Sequence, residues 1–111
     1  MQSTRLIKLL EFLKNDPKDP FILYALATEY NSVQDKENAF HYYNLLVEQH
    51  PDYVGTYYHL GKLLEKETQT EKALEIYKKG MTIAREKRDM HAFSELQGAY
   101  NSAAGLDYED D

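Results

Sequence analysis

A repeat of 34 residues constrains this chain more than any other feature. Laying residues 20–53 over 54–87 aligns Tyr24 with Tyr58, Leu26 with Leu60, Glu37 with Glu71, Ala39 with Ala73 and Tyr43 with Tyr77. Five identities are few, but residue size repeats with them. Large residues return at the fourth, seventh, eleventh and twenty-fourth places: Leu23, Leu26, Tyr30 and Tyr43, then Tyr57, Leu60, Leu64 and Tyr77. Small ones return at the eighth and twentieth: Ala27 and Ala39, then Gly61 and Ala73. A fixed period of this length marks supersecondary units that bury their apolar faces by stacking on one another.

Inside each unit apolar residues recur three and four positions apart, the period of a helix. No sustained alternating run carries turn chemistry on both sides, so the chain is predicted to be all-helical. The breakers divide it. Pro17 and Pro51 stop helices, and Asp19–Pro20 starts one with a cap followed by proline at the first helical position. Six helices follow: about 3–15, with Leu6, Leu9, Leu10 and Leu13 on one face; 20–32; 36–49, beginning near Asp35; 53–66, capped by Asp52; 70–86, opened by Thr68 and Glu71 in capping-box spacing; and 89–103. Gly105 and the acidic tail are expected to be disordered. With 111 residues the chain has the size of one domain. It is read as a domain over 1–105 (helix 1–17, repeats 20–53 and 54–87, helix 88–104) and a tail over 106–111.

The alternation of sizes has a physical cause. Antiparallel helices approach closely only where small residues meet, and large ones then fill the wider gaps beside the contact. A mid-helix glycine costs about 1 kcal/mol relative to alanine, so Gly61 points to a contact too tight for a larger residue.

These residues resemble the tetratricopeptide repeat. The first unit carries Leu26-Ala27-x-x-Tyr30, Ala39-x-x-x-Tyr43 and Pro51, and the second Tyr57-x-x-Leu60-Gly61 and Ala73-x-x-x-Tyr77. Leu23 replaces the family's usual Trp, Leu64 its Tyr, Leu46 and Gly80 its Ala, and Arg85 its closing Pro. The resemblance covers 20–87 and extends to 1–17 as the second helix of a preceding unit. In strict register the sixth helix would present His91, Ser94, Glu95 and Gly98; a shift of two, allowed by Arg85, presents Phe93, Leu96, Gln97 and Tyr100. The resemblance implies a superhelix of about six antiparallel helices, two full repeats with flanking helices, similar to small free-standing bacterial members.

It also implies a ligand face. Members of the family carry ligands on a concave face lined by the first helix of each pair. The lining places here hold Phe21, Tyr24, Ala25, Thr28, Asn31 and Ser32, then Gly55, Tyr58, His59, Lys62, Glu65 and Lys66. Phe21, Tyr24, Thr28, Asn31, Tyr58, Lys62 and Glu65 are the candidate peptide-binding residues. Tyrosine is favoured at such a face because it buries much area with little loss of entropy; the alternative is that Tyr24 and Tyr58 pack against each other and the sixth helix. Chaperone-binding members grip a C-terminal carboxylate with Lys, Asn and Arg at five fixed places. This chain has Tyr24, Thr28 and His59 at three of them, and Asp89 and Phe93, or His91 and Glu95, at the others. None matches, so a chaperone-tail ligand is excluded.

The first helix supports a second reading. Ile7 and Phe12 lie to either side of its leucine stripe, an apolar arc wider than one packing face requires. Covering the remainder with a second copy would give a two-fold homodimer. The blander account is a terminal helix with an apolar rim.

Other functions lack support in the sequence. Acids outnumber bases 19 to 13, for a net charge of −6, and Asp107, Glu109, Asp110 and Asp111 fall in the last five positions. Such a chain has no broad attraction for nucleic acid or an anionic membrane. It contains no cysteine, which excludes disulfides and thiolate metal sites. His41, His50, His59 and His91 have no metal-ligand spacing. Nucleophile-elbow, dinucleotide and phosphate-loop motifs are absent. Lys78, Lys79, Arg85 and Arg88 lie among glutamates and read as a solvated face that could receive an acidic segment. No apolar run approaches the ~20 residues of a membrane span, and no signal-peptide core is present. The chain is expected to be a cytoplasmic, non-catalytic adaptor without cofactor or metal, binding a protein or peptide, with a structural homo-oligomer as the alternative.

Overall fold

The computed structural model describes residues 3–106. Six α-helices occur among them: α1 (Thr4–Asn15), α2 (Pro20–Ser32), α3 (Lys36–Gln49), α4 (Gly55–Lys66), α5 (Thr70–Glu86) and α6 (Met90–Ala103). The tail from Asp107 onward, expected to be disordered, lies outside the described residues.

Short side chains start four of the helices by accepting from orphan backbone N–H groups. Ser3 accepts from Leu6 N, Asp19 from Phe21 N, Asp35 from Asn38 N and Asp89 from Ala92 N. Two caps differ from expectation. Asp52 does not cap α4: the Pro51 turn closes with Tyr53 N bonded to the His50 carbonyl, and the N-cap position falls on Val54, whose backbone is already helical. Thr68 does not cap α5 either, because the N-cap is Gln69.

Thr68 has another role. It stands at φ +59°, Gln34 at +65°, Arg88 at +59° and Gly105 at +75°. Each ends a helix in the left-handed region, with paired bonds that satisfy the last carbonyls. Gln34 N reaches Asn31 O (3.0 Å) and Asp35 N reaches Tyr30 O (2.9 Å); Thr68 and Gln69, Arg88 and Asp89, and Gly105 and Leu106 repeat the pattern. Gly105 is therefore the closing residue of α6. Asp35, Gln69 and Asp89 complete one closure and occupy the N-cap position of the next helix, Asp35 and Asp89 with a side-chain bond and Gln69 without one, so three residues suffice for each of these connections. The other two connections use proline. Asp16 (φ −146°) and His50 (φ −139°) are pushed out of the helical region by the proline that follows.

The chain divides into two compact units, Met1–Tyr53 and Val54–Asp111. In the first, α1 packs on α2 and α2 on α3, around Leu6, Leu23, Leu26, Ala27, Tyr30, Ala39, Tyr43 and Leu46. Glu29 ties α1 to α2 by accepting from Ser3 Oγ (3.3 Å) and pairing with Arg5 Nε (3.2 Å). In the second unit α4 packs on α5, α5 on α6, and α6 also touches α4. Its core comprises Tyr57, Leu60, Gly61, Leu63, Leu64, Ala73, Tyr77, Gly80, Ala84, Leu96 and Ala99.

Small residues allow close approach, and at two glycines the neighbour is a large side chain. A Cβ at Gly61 would stand 2.1 Å from Tyr77 Cε1, and one at Gly80 would stand 2.5 Å from Tyr57 Cβ and 3.0 Å from Leu96 Cδ1. Each glycine is the floor under a neighbour's side chain. Leu96 is buried and Phe93 and Tyr100 half-buried, while His91, Ser94, Glu95 and Gly98 are exposed; α6 thus follows the register shifted by two except at Gln97, which is exposed.

Candidate protein-binding face

Phe21, Tyr24, Thr28 and Asn31 are spaced three, four and three apart and so share one face of α2. Phe21 is 68% exposed; Tyr24, Thr28 and Asn31 are half-buried, and Ala25 of the same lining set is buried. The Tyr24 ring lies 5.4 Å from that of Tyr53, tilted 47°. Tyr53 comes from the turn after Pro51 and closes the first repeat; nothing in the sequence singled it out beyond that position. Burial, then the neighbouring Tyr53, raises the Tyr24 phenol above its ordinary range. Burial, then the Asp19 carboxylate, raises that of Tyr53. Both therefore present neutral hydroxyls at neutral pH. The Thr28 hydroxyl donates to the Ala25 carbonyl (3.1 Å) and that of Ser32 to Glu29 (2.7 Å).

Tyr58, Lys62 and Glu65 share one face of α4 at spacings of four and three. The Lys62 ammonium stands 5.5 Å from the centre of the Tyr58 ring and 3.9 Å from Glu65 Oε2. The same carboxylate oxygen accepts the hydroxyl hydrogen of Tyr77, which is buried on α5. One exposed cation is thus held between an aromatic ring and an acid anchored to the core. His59 packs edge-on to Tyr58 at 5.6 Å; burial lowers its pKa, and the Glu95 carboxylate partly opposes that. Gly55 and Lys66 are exposed.

The sequence missed the partners that hold these residues. Tyr77 reads only as core, and its bond to Glu65 joins positions twelve apart on different helices. Arg85, read from the sequence as a missing proline and a surface charge, places its guanidinium 4.8 Å from the centre of the Phe93 ring and so links α5 to α6. The α2 face offers rings, a hydroxyl and an amide, and the α4 face a ring and an ion pair, groups suited to gripping a chain. Among the described residues no three of His, Asp and Glu gather as metal ligands would, and no helix is long and apolar enough to cross a membrane.

Comparison with known proteins places this arrangement. The sequence profile described as Tetratricopeptide repeat matches residues 54–87. The solution structure of a tetratricopeptide repeat domain protein from Salinibacter ruber is 45% identical, with a TM-score of 0.78 over 86% of this chain and 97% of that one. A crystal structure of a tetratricopeptide repeat domain protein from the same organism is 46% identical, with a TM-score of 0.76 over 80% of this chain and all of that one. MamA shares the fold at 22% identity, with a TM-score of 0.71 over 91% of this chain and 54% of its own. No protein of curated function matches the chain. The 34-residue period, the paired helices and this likeness along most of the chain's length have one explanation: the chain belongs to the tetratricopeptide repeat family.

Proposed function

We propose that the chain is a non-catalytic adaptor that binds a protein or peptide segment along the first-helix face of its repeats. Phe21, Tyr24, Thr28 and Asn31 would supply contacts from the first repeat, and Tyr58, Lys62 and Glu65 from the second. The observation that carries this reading is Phe21. A phenylalanine 68% exposed sits one turn before Tyr24 on an otherwise well-buried helix, and aromatic groups of this kind anchor bound partners. Family membership supports it, because tetratricopeptide domains are generally protein-binding modules. A location in the cytoplasm is part of the same proposal.

The test is affinity capture from native lysate, comparing the natural chain with a Tyr24→Ala/Tyr58→Ala double variant whose helicity is checked by circular dichroism. Loss of a specific partner in the variant is the expected result. Equal capture by both chains would remove these tyrosines from the binding face.

A second reading, homo-oligomer formation, is favoured by α1. Counting back 34 residues from Tyr43 and Leu46 gives Leu9 and Phe12. Tyr43 and Leu46 are fully buried, whereas Leu9 is half-buried and Phe12 is 55% exposed beside Ile7 at 48%. Leu9 and Phe12, with Thr4, Arg5 and Lys8, line a shallow cavity of about 390 Å³. A second copy covering that surface would bury Leu9 and Phe12 as Tyr43 and Leu46 are buried.

A further inference from the structure

The open stripe of α1 carries opposite charges at its two ends, and each stands at the wrong end of its own helix. The stripe is Arg5, Leu9, Phe12 and Asp16, spaced four, three and four apart and so on one face. Asp16 belongs to it because its N–H still bonds to the Phe12 carbonyl (3.1 Å). Counting forward 34 and 68 residues gives Ala39, Tyr43, Leu46 and His50, then Ala73, Tyr77, Gly80 and Ala84. Seven of these eight are buried, and none is an acid, a lysine or an arginine. On α1 the same places are exposed, except for the half-buried Leu9. Only α1 has ions at both ends of the stripe.

Neither charge suits α1 itself. A helix is partially positive at its N-terminus and partially negative at its C-terminus. Arg5 is the second residue of α1 and Asp16 its C-cap, so each opposes the dipole of its own helix. Glu29 accounts for Arg5 in part, pairing with its Nε at 3.2 Å, but a guanidinium has five donors and can serve a second acid. A helix lying antiparallel across the stripe reverses both relations. Its C-terminus falls beside Arg5 and its N-terminus beside Asp16.

The helix that fits is another α1. Spacings of four, three and four read the same from either end, so the stripe is complementary to itself under a two-fold rotation. An antiparallel copy sets Arg5 opposite Asp16 of the second copy at both ends, and Leu9 opposite Phe12 in the middle. The two Arg5 residues are then about 16 Å apart along the helices, about twice the Debye length in physiological salt. A parallel copy would set Arg5 against Arg5 and Asp16 against Asp16.

We infer that α1 forms an antiparallel two-fold contact with a second copy of this chain, apolar at its centre and closed by Arg5–Asp16 pairs at both ends. This deepens the homo-oligomer reading and rests on it. Three turns of helix make an interface at the low end of the sizes that associate stably, so the dimer is one that dissociates on dilution.

The test is the light-scattering mass, over a concentration series, of the natural chain, Arg5→Glu, Asp16→Arg and the double variant, with helicity followed by circular dichroism. The natural chain is expected to rise toward the mass of two chains. Each single reversal turns two attractions into two repulsions and should weaken association about tenfold to thirtyfold. The double variant, and an equimolar mixture of the two single ones, restore both pairs and should recover most of the natural affinity. Arg5→Glu also faces Glu29, so Asp16→Arg decides alone should that variant lose helicity. A cation at position 16 suits the dipole of α1, so weakened association there cannot come from a weakened helix. Undiminished association in Asp16→Arg, or no recovery in the double variant and the mixture while both single variants stay helical, overturns the inference. If Phe12→Glu abolishes a dimer that the charge reversals leave intact, association through α1 survives and the antiparallel pairing falls. A natural chain that stays monomeric at every concentration removes both.

Discussion

The ring of Tyr77 fills the space above Gly61, where a Cβ would stand 2.1 Å from Tyr77 Cε1 and 2.6 Å from its Cζ. The ring cannot move aside freely, because its hydroxyl is bonded to Glu65. Gly61→Ala therefore combines overpacking, about 1–3 kcal/mol, with a gain in helix propensity of about 1 kcal/mol. A melting temperature lowered by several degrees is expected, and Gly61→Leu should cost more. Combining Tyr77→Leu with Gly61→Ala should cost less than the two single changes added together. An unchanged melt in Gly61→Ala would sink this account of the helix contact.

Glu65 joins the exposed face of α4 to the core, since one oxygen serves both Lys62 and Tyr77. A hydrogen bond to a charged group contributes about 1.5–3 kcal/mol when well buried, and partial exposure of Glu65 puts this one at the lower end. Tyr77→Phe and Glu65→Gln are each expected to lower stability by about 1–2 kcal/mol. The double variant should lose less than the two losses added, showing coupling. Strict additivity in denaturant titration would mean the bond carries no stability.

Thr68 is β-branched and sits at φ +59°, where a Cβ crowds the following carbonyl at a cost of about 1–2 kcal/mol. Glycine removes that crowding, and the larger entropy it loses on folding returns about 0.5–1 kcal/mol of the gain. Thr68→Gly is expected to raise the melting temperature by a few degrees, and Gln34→Gly and Arg88→Gly by somewhat less. A lower melting temperature for Thr68→Gly would show that the bond from the Thr68 hydroxyl to the Glu67 carbonyl outweighs the crowding.

Ionisation is expected to limit stability at both ends of the pH range. Burial, followed by the bond to Glu65, raises the Tyr77 phenol, and burial followed by the charge of Tyr24 raises that of Tyr43. Their folded-state pKa values lie above the unfolded value of about 10. The stability they contribute is thus present below pH 10 and lost above it. Absorbance at 295 nm should show these two ionising only as helicity falls. His59 has the opposite sign: burial lowers its pKa, so its contribution is present above about pH 6.5 and lost as the pH falls below that. His59→Gln should flatten the acid side of the stability profile. Simultaneous ionisation of all tyrosines before any loss of helicity would contradict the burial argument.

Phe12 decides the homo-oligomer reading. If α1 mediates association, Phe12→Glu should return the light-scattering mass to that of one chain without loss of helicity, since the ring is 55% exposed and contributes little to the core. An oligomer that persists in the variant removes α1 from the interface, and a monomeric natural chain removes the reading altogether.

Much of this protein is determined by local sequence. The 34-residue period, the prolines at 17 and 51, and the aspartates at 19 and 35 act within a few residues of themselves, so helix number, order and most boundaries can be read directly. Which residues share a helix face follows from the same periodicity. Three things became visible only when the chain was folded. The left-handed closures at Gln34, Thr68 and Arg88 carry no glycine to announce them; they are held by backbone bonds whose geometry overrides side-chain preference. Gly61 was legible as a tight contact, but not as the floor beneath Tyr77, since small residues at two places do not say which side chain lies between the helices. Tyr53 beside Tyr24, and Tyr77 beneath Glu65, depend on distances between segments far apart in the sequence. Periodicity fixes which side of a helix a residue occupies, while its partner is decided by how one helix lies on the next.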